Sequence, residues 1–166
     1  MEWTSPYLML VGIVAFLVLM AAVAWRPLRS RLRAREVQRA FQQFRLQREH
    51  LEAKFFDLAS SRGKPRGLRW LDCDWQNSVS FARDVSTGLL TAFLAVNIHF
   101  EAIEGGDMED VEEVSTVRDA AALFHYQSGR WGTGGRALFN MNPEDAVAKL
   151  EGQFEPVSIE AAPLPR

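Results

Sequence analysis

The sequence predicts an α+β protein with an N-terminal transmembrane helix and a helical stalk, followed by a small antiparallel sheet domain with a short C-terminal helix. Three observations predict this class. A long uncharged apolar run lies near the N-terminus, the residues after it keep a helical apolar spacing, and from residue 68 the apolar residues alternate. The predicted segments are a membrane anchor (1–25), a basic juxtamembrane stalk (26–61), a linker (62–67), the sheet domain (68–157) and a frayed tail (158–166).

The anchor is predicted from Tyr7–Trp25, which contains nineteen residues and no charge. At 1.5 Å per residue, such a helix is about 28 Å long, close to the ~30 Å hydrocarbon core of a bilayer. Trp3 and Tyr7 at one end and Trp25 at the other are typical interface anchors. A buried core helix is the weaker interpretation, because a helix in a water-soluble fold usually has a polar stripe.

Charge predicts the orientation of the anchor. No Lys or Arg precedes the apolar run, and an arginine cluster follows it, which places the C-terminal side in the cytoplasm and the N-terminus outside. A cleaved signal peptide is the alternative, since Ala22-Val23-Ala24 fits a cleavage pattern, but the required basic start is missing. The residues predicted to lie at the membrane surface are Arg26, Arg29, Arg31, Arg33 and Arg35.

The stalk shows a heptad-like apolar pattern with one fault. Its apolar positions are separated by alternating steps of three and four, but Arg48 stands where an apolar residue is due. Either the helix forms a homo-oligomer beside the membrane, or only Phe41–Leu58 packs, against the protein's own sheet. The apolar positions are Ala34, Val37, Phe41, Phe44, Leu51, Phe55 and Leu58.

Composition restricts the possible partners and chemistry. Residues 1–69 hold 13 Lys and Arg against 5 Asp and Glu, whereas residues 70–166 hold 6 against 16. The basic half therefore begins beside anionic lipid and the acidic half lies away from it. No basic face is interleaved with stacking aromatics, so we expect no nucleic-acid partner. Cys73, the single cysteine, excludes an internal disulfide, and Asp72 and Asp74 should raise the pKa of its thiol.

The sheet domain is predicted to begin with two short strands. Leu71, Cys73 and Trp75 alternate with Trp70, Asp72 and Asp74, and a hairpin at Gln76-Asn77 leads to a second strand through Val79 and Phe81. After a turn at Thr87-Gly88, residues 89–103 form a long central strand. An acidic loop over residues 104–113 follows.

The remaining elements have clear turn signals. Val117–Gln127 reads as a strand, Ser128-Gly129 as a hairpin turn, and residues 130–133 and 136–139 as short strands. Asn142-Pro143 is a typical helix start, with Asn as N-cap and Pro at the first helical position. This helix should end near Leu150 or Glu151, before Gly152.

Candidate chemistry is sparse. His99 and His125, with Glu101, supply the ligand types of a zinc or non-haem iron site, but residues on the solvated side of a sheet explain them as well. The acidic loop could bind Ca²⁺ but lacks the EF-hand spacing, so solvation or a basic partner explains it better. We therefore expect no metal and no cofactor. His50 should lie on the surface of the stalk.

Gly129–Arg136 is the most unusual local sequence, with four glycines and two arginines. It could bind an anion through backbone amides and guanidinium groups, but it matches neither a P-loop nor a dinucleotide motif. The alternative is a hairpin in which glycines occupy bulge and turn positions and Trp131 packs across the sheet.

These observations predict a single-pass membrane protein whose cytoplasmic domain is a non-catalytic protein-interaction or accessory module of a membrane complex. Its expected partners are the lipid bilayer and another protein, or a second copy through the stalk. The alternative is a membrane-tethered enzyme or small-ligand binder. Its cavity would be lined by four residues that must then lie together: His99, His125, Trp131 and Arg136.

Overall fold

The computed structural model describes residues 5–62, 68–103 and 117–158, although of Ser5, Pro6, Leu8 and residues 22–24 and 26–32 it describes only the backbone. Within these residues, two helices and six strands follow one another. They are α1 (Ser5–Arg62), β1 (Leu68–Asp84), β2 (Leu90–Ala102), β3 (Arg118–Gln127), β4 (Arg130–Gly132), β5 (Ala137–Phe139), α2 (Pro143–Lys149) and β6 (Phe154–Pro156).

The chain divides into two compact units, Met1–Arg39 and Ala40–Arg166. Helix α1 contributes residues to both units. The predicted helical stalk is therefore present, and its second half belongs to the same unit as the sheet. In the first unit, the described side chains between Met9 and Ala21 are all exposed.

In the part of the chain that the structure describes, no helix has both the length and the apolar character needed to cross a membrane. The transmembrane part of the predicted fold is thus not confirmed.

The six strands form one antiparallel sheet, as predicted for an α+β domain. Their order is β4-β3-β2-β1-β6, and β5 also pairs with β3. Each of β1, β2 and β3 pairs with its sequence neighbour through a hairpin-like succession, which needs no crossover helix. The predicted long central strand is confirmed as β2, and the turn at Ser128-Gly129 is confirmed by the positive φ of both residues.

The predicted hairpin at Gln76-Asn77 is wrong. Strand β1 continues through this dipeptide to Asp84, and the register against β2 shifts between Trp75 and Val79. Three residues of β1 therefore stand opposite Ala95 alone, which is a bulge rather than a turn. A turn and a bulge give the same signal in the sequence, because polar residues interrupt the alternation in both.

The predicted facing of Trp70 is also wrong. A register shift between Trp70 and Asp72 leaves Leu71 as an extra residue, so the alternation slips by one position. As a result Trp70 is buried together with Cys73, whereas Leu71 is 59% exposed.

The larger half of the core lies between the C-terminal part of α1 and one face of the sheet. Phe44 makes edge-to-face contacts with Phe81, Phe124 and Trp131, and Phe55 contacts Trp75 and Phe124. Of the two interpretations of the stalk, the structure thus supports the one in which Phe41–Leu58 packs on the protein's own sheet.

The second half of the core lies on the opposite face, under α2. Phe93 and Leu123 from the sheet pack with Val147 of α2 and with Phe154 of β6. Asn142 is the N-cap of α2, and its side-chain oxygen accepts a hydrogen bond of 2.8 Å from the Asp145 amide. The predicted N-terminus of this helix is confirmed, and its C-cap is Leu150.

Several predictions fall outside the described residues. They concern the acidic loop over 104–113, the linker after Arg62, and the tail after Ser158. Strand β6 lies inside the described residues but was not predicted, because three residues containing a proline give no alternation to recognise.

Candidate functional site

The structure contains an apolar groove at the sheet edge where β1 meets β6. Its cavity volume is about 620 Å³. We call it the edge groove. Its walls are formed by the start of the packed part of α1, by β1, by one side of α2 and by β6 with the two residues after it. The lining residues are Phe41, Val79, Ser80, Phe81, Glu144, Val147, Ala148, Glu151, Phe154, Pro156, Val157 and Ser158.

The edge groove combines an apolar floor with two carboxylates. Phe81 and Phe154 are buried below it, and Val147 contributes from α2. Glu144 and Glu151 lie one near each end of α2, and both residues are exposed. Within the described residues neither carboxylate has an ion-pair partner. The groove therefore offers an apolar surface with negative charge at two points.

A second cavity, of about 490 Å³, lies on the α2 side of the sheet and is polar. Asn97 and Asp119 line it from the sheet, and Asn142 and Asp145 from the cap of α2. The Asn142 side-chain nitrogen donates a hydrogen bond of 2.8 Å to the Asp145 carboxylate, so these two side chains are already hydrogen-bonded to each other. This cavity thus presents cap residues whose side chains are engaged in holding α2.

The two histidines of the predicted ligand site lie far apart. Both lie on the same face of the sheet. His125 pairs with Thr91, and His99 follows Thr91 on β2 by eight positions, an even number that keeps the side chain on the same face. At about 3.3 Å per residue this separates them by about 26 Å. His99 Nε2 instead lies 2.8 Å from the carboxylate of Asp74.

His125 occupies a half-buried position at the other end of β2. Its Nδ1 lies 3.1 Å from the hydroxyl of the fully buried Thr91. Burial lowers the pKa of His125, Asp84 opposes this by raising the pKa, and Arg136 lowers it further. The Leu123 amide, two positions from His125 on β3, donates to the Arg136 carbonyl, so His125 and Arg136 are the two predicted ligand residues that the structure brings near each other.

Trp131 lies on the opposite face of the sheet from both histidines. It pairs with Tyr126, which is the alternate position to His125 on β3, and it is buried against Phe44 and Phe81. Its indole nitrogen donates a hydrogen bond of 2.7 Å to the backbone carbonyl of Ala40. The four residues predicted to share a cavity therefore do not converge, and Trp131 is part of the core.

The glycine-rich segment has a packing role. The Gly135 amide donates to the Thr133 hydroxyl at 3.1 Å, and that hydroxyl donates to the Leu123 carbonyl. A Cβ on Gly135 would lie 2.7 Å from the Ala59 backbone nitrogen, so the chain passes directly against α1. These contacts favour the hairpin interpretation of Gly129–Arg136 over the anion site.

No group of three or more metal-ligating side chains occurs among the residues that the structure describes. Cys73 is buried, and burial, followed by the nearby Asp72 and Asp74, raises the pKa of its thiol to about 12. The predicted direction of this shift is confirmed, with burial as the larger cause. His50 is exposed, as expected.

The predicted membrane-surface arginines are only partly described. Arg33 and Arg35 are exposed on α1. The side chains of Arg26, Arg29 and Arg31 lie outside the described ones, so the predicted contact with lipid stays a prediction.

Comparisons with known proteins give no relative: no protein-family model, no curated protein sequence and no solved structure matches this chain.

The edge groove was not predicted from the sequence. It depends on the pairing of β6 with Ala82–Asp84, which brings Phe154 and Val157 beside β1. One signal could have indicated it: Glu144, Val147, Ala148 and Glu151 form a stripe at helical spacing with acidic ends.

Proposed function

We propose that this protein is a single-pass membrane protein whose cytoplasmic α+β domain is a protein-interaction module, acting as an accessory part of a membrane complex. The observation that supports a membrane anchor is the exposure of large apolar side chains on the N-terminal part of α1. Between Met9 and Met20, ten of them are more than half exposed: Met9, Leu10, Val11, Ile13, Val14, Phe16, Leu17, Val18, Leu19 and Met20.

These side chains occupy every position from 9 to 20 except Gly12 and Ala15, and therefore lie on every side of the helix. Exposed to water, a surface of this kind is unfavourable by about 25 cal/mol per Å². A single partner helix could cover one side, whereas lipid covers all of them. The uncharged sequence from Tyr7 to Trp25 supports lipid as the environment.

The orientation follows from the arginines after the apolar run. Cytoplasmic flanks of membrane helices carry an excess of Lys and Arg, and this chain has none before Arg26. The sheet domain, which follows the arginines, is thus proposed to lie in the cytoplasm.

The interaction role is supported by the surface of the domain. The edge groove is apolar and open, and its two carboxylates have no ion-pair partner in the described residues. The alternative of an enzyme or ligand binder requires His99, His125, Trp131 and Arg136 to line one cavity, and strand alternation places Trp131 on the other face. The interaction module is therefore the better-supported function.

Carbonate extraction and cysteine labelling test the anchor and its orientation. The full chain is expected in the carbonate-resistant membrane fraction. A membrane-impermeant maleimide should label a Thr4→Cys variant in intact cells and a Lys149→Cys variant only after permeabilisation, while the buried Cys73 serves as a silent background. Recovery of the chain in the aqueous fraction, or labelling of Lys149→Cys in intact cells, contradicts the proposal.

Crosslinking in the native membrane tests the interaction role. An amine-reactive crosslinker applied before detergent extraction is expected to give a defined larger species in addition to the 18.8 kDa chain. Recovery of the monomer alone contradicts an accessory role.

A further inference from the structure

We propose that the edge groove binds a basic amphipathic helix, supplied by the cytoplasmic flank of an integral-membrane partner. In this helix two cationic side chains, seven positions apart, flank apolar side chains in the middle. The inference rests on the proposed function, and it names the chemistry of the partner and the surface that recognises it.

The apolar part of the partner is argued from the groove floor. Phe81 and Phe154 are buried at its base, and Val147 belongs to the core cluster beneath α2. A volume of about 620 Å³ is within the range of pockets that enclose small ligands or a few large side chains. Two adjacent leucine side chains of a helix therefore fit the depth and polarity of this floor.

The cationic part is argued from Glu144 and Glu151. They are seven residues apart: Glu144 is in the first turn of α2, and Glu151 follows the C-cap residue Leu150. Two arginines or lysines at the same spacing on an antiparallel partner helix would face them, and the apolar residues between would meet Val147 and Ala148. Residues 70–166 also carry 16 acidic against 6 basic residues, which favours a basic partner.

The helical conformation of the partner follows from the edge strand. The Val157 amide donates to the Phe81 carbonyl. The backbone N–H and C=O groups of Glu155 and Val157 therefore point toward β1, and those of Phe154 and Pro156 point away from it. The Phe154 amide already donates to Leu150, and proline has no N–H. Strand β6 therefore has no free backbone N–H with which to pair an additional strand. A partner must recognise the groove through its side chains.

The exposed edge of β1 beyond the groove is blocked in a similar way. The guanidinium group of Arg48 donates to the Gln76 carbonyl at 2.7 Å, and the Cys73 amide donates to the Asp72 carboxylate. Side chains thus occupy backbone groups that an incoming strand needs. Helix-in-groove binding remains as the recognition mode that this edge supports.

The membrane origin of the partner follows from where the domain is proposed to lie. Lys and Arg are enriched in the short cytoplasmic segments that flank membrane helices. Such segments are tethered at the same surface as this domain, which raises their effective concentration. A basic flank is therefore the partner that both the groove chemistry and the proposed location favour.

Peptide binding to the full chain in a non-ionic detergent tests the inference. The probe is a fluorescein-labelled 15-residue helical peptide with arginine at its fourth and eleventh positions, leucine at its seventh and eighth, and alanine or glutamine elsewhere. Fluorescence anisotropy is expected to show binding that weakens about tenfold when both Glu144→Gln and Glu151→Gln are introduced. The matched control, Glu49→Gln with Asp57→Asn, removes two carboxylates from another part of the domain and should leave binding unchanged.

Four outcomes overturn the inference: no binding, equal weakening by the control pair, equal binding of a peptide whose leucines are replaced by serine, or a dimer of the full chain that the Glu144→Gln and Glu151→Gln variant dissociates. The last would assign the groove to a second copy. Because binding is measured in detergent, these outcomes are independent of carbonate extraction and labelling, which test the proposed function separately.

Discussion

The indole nitrogen of Trp131 and the backbone carbonyl of Ala40 form a hydrogen bond of 2.7 Å between residues 91 positions apart. The bond connects the β3–β4 hairpin to α1 at the first residue of the second compact unit. Aromatic contacts of Trp131 with Phe44, Phe81 and Tyr126 surround it. Trp131 therefore fixes the helix against the sheet by polar and apolar contacts together.

Replacing Trp131 tests this dual role. Trp131→Phe keeps an aromatic ring but removes the donor, and we expect a loss of about 1–2 kcal/mol in the free energy of unfolding. Trp131→Ala also leaves a cavity and should cost about 3–5 kcal/mol. Urea denaturation of the full chain in detergent, followed by circular dichroism, measures both. Trp75→Phe is the control, since Trp75 packs on Phe55 and is only partly buried. A Trp131→Phe variant as stable as wild type would show that the hydrogen bond contributes nothing net.

Gly135 is predicted to be intolerant of any side chain. Its φ is +72°, and a Cβ would approach the Ala59 nitrogen to 2.7 Å and the Leu58 carbonyl carbon to 2.8 Å. Both backbone strain and overlap with α1 oppose a side chain, so Gly135→Ala should destabilise the domain by about 2–4 kcal/mol. Gly134→Ala is a matched control, because nothing lies within 4 Å of its Cβ. Equal stability of the two variants would mean that the loop moves away from α1 at little cost.

His125 should make the stability of the domain depend on pH. Burial lowers its pKa in the folded state below the ordinary value of 6.5, so the unfolded chain binds the proton more readily. Its contribution is therefore complete above about pH 6.5 and is lost as the pH falls from there toward the folded-state pKa. We expect His125→Gln to flatten the decline in the free energy of unfolding between pH 7 and pH 5. His50→Gln, at an exposed position on α1, should leave the decline unchanged. A His125 ring that titrates at or above 6.5 by NMR contradicts this prediction.

Arg48 distinguishes the two interpretations of the stalk. Its Nε lies 2.6 Å from the Glu52 carboxylate, and its guanidinium also reaches the Gln76 carbonyl at the β1 bulge. Arg48→Leu removes these bonds and should destabilise the domain by about 1 kcal/mol, because the pair is partly exposed. If α1 instead formed a coiled coil, the same change would complete the heptad pattern and stabilise an oligomer. Denaturation and analytical ultracentrifugation in detergent separate these results, with Arg45→Leu, on an exposed side of α1, as the control.

Arg48 also shows that a break in a local pattern can be recognised from the sequence while its structural cause cannot. The sequence revealed the break in the apolar repeat, but the reason for the break lies 28 residues away, at the β1 bulge. The bulge at Gln76–Ser78 was predicted as a turn for the same reason, whereas the bulge at Leu71 gave no break in the alternation at all. A residue that interrupts an alternation marks a turn or a bulge, and only the partner strand determines which one forms.

Local chemistry was sufficient for the elements whose signal lies within a few residues. The N-cap at Asn142, the turn at Ser128-Gly129 and the length of β2 follow from capping, positive φ and alternation. The uncharged run at residues 7–25 and the arginines after it are likewise properties of the sequence alone. Only the tertiary structure determined how distant positions are arranged. It places Trp131 and the two histidines on opposite faces of the sheet, brings Gly135 into contact with α1, and adds β6 to the edge groove. Strand register and long-range packing depend on free energies summed over the whole core, and no short stretch of sequence contains that sum.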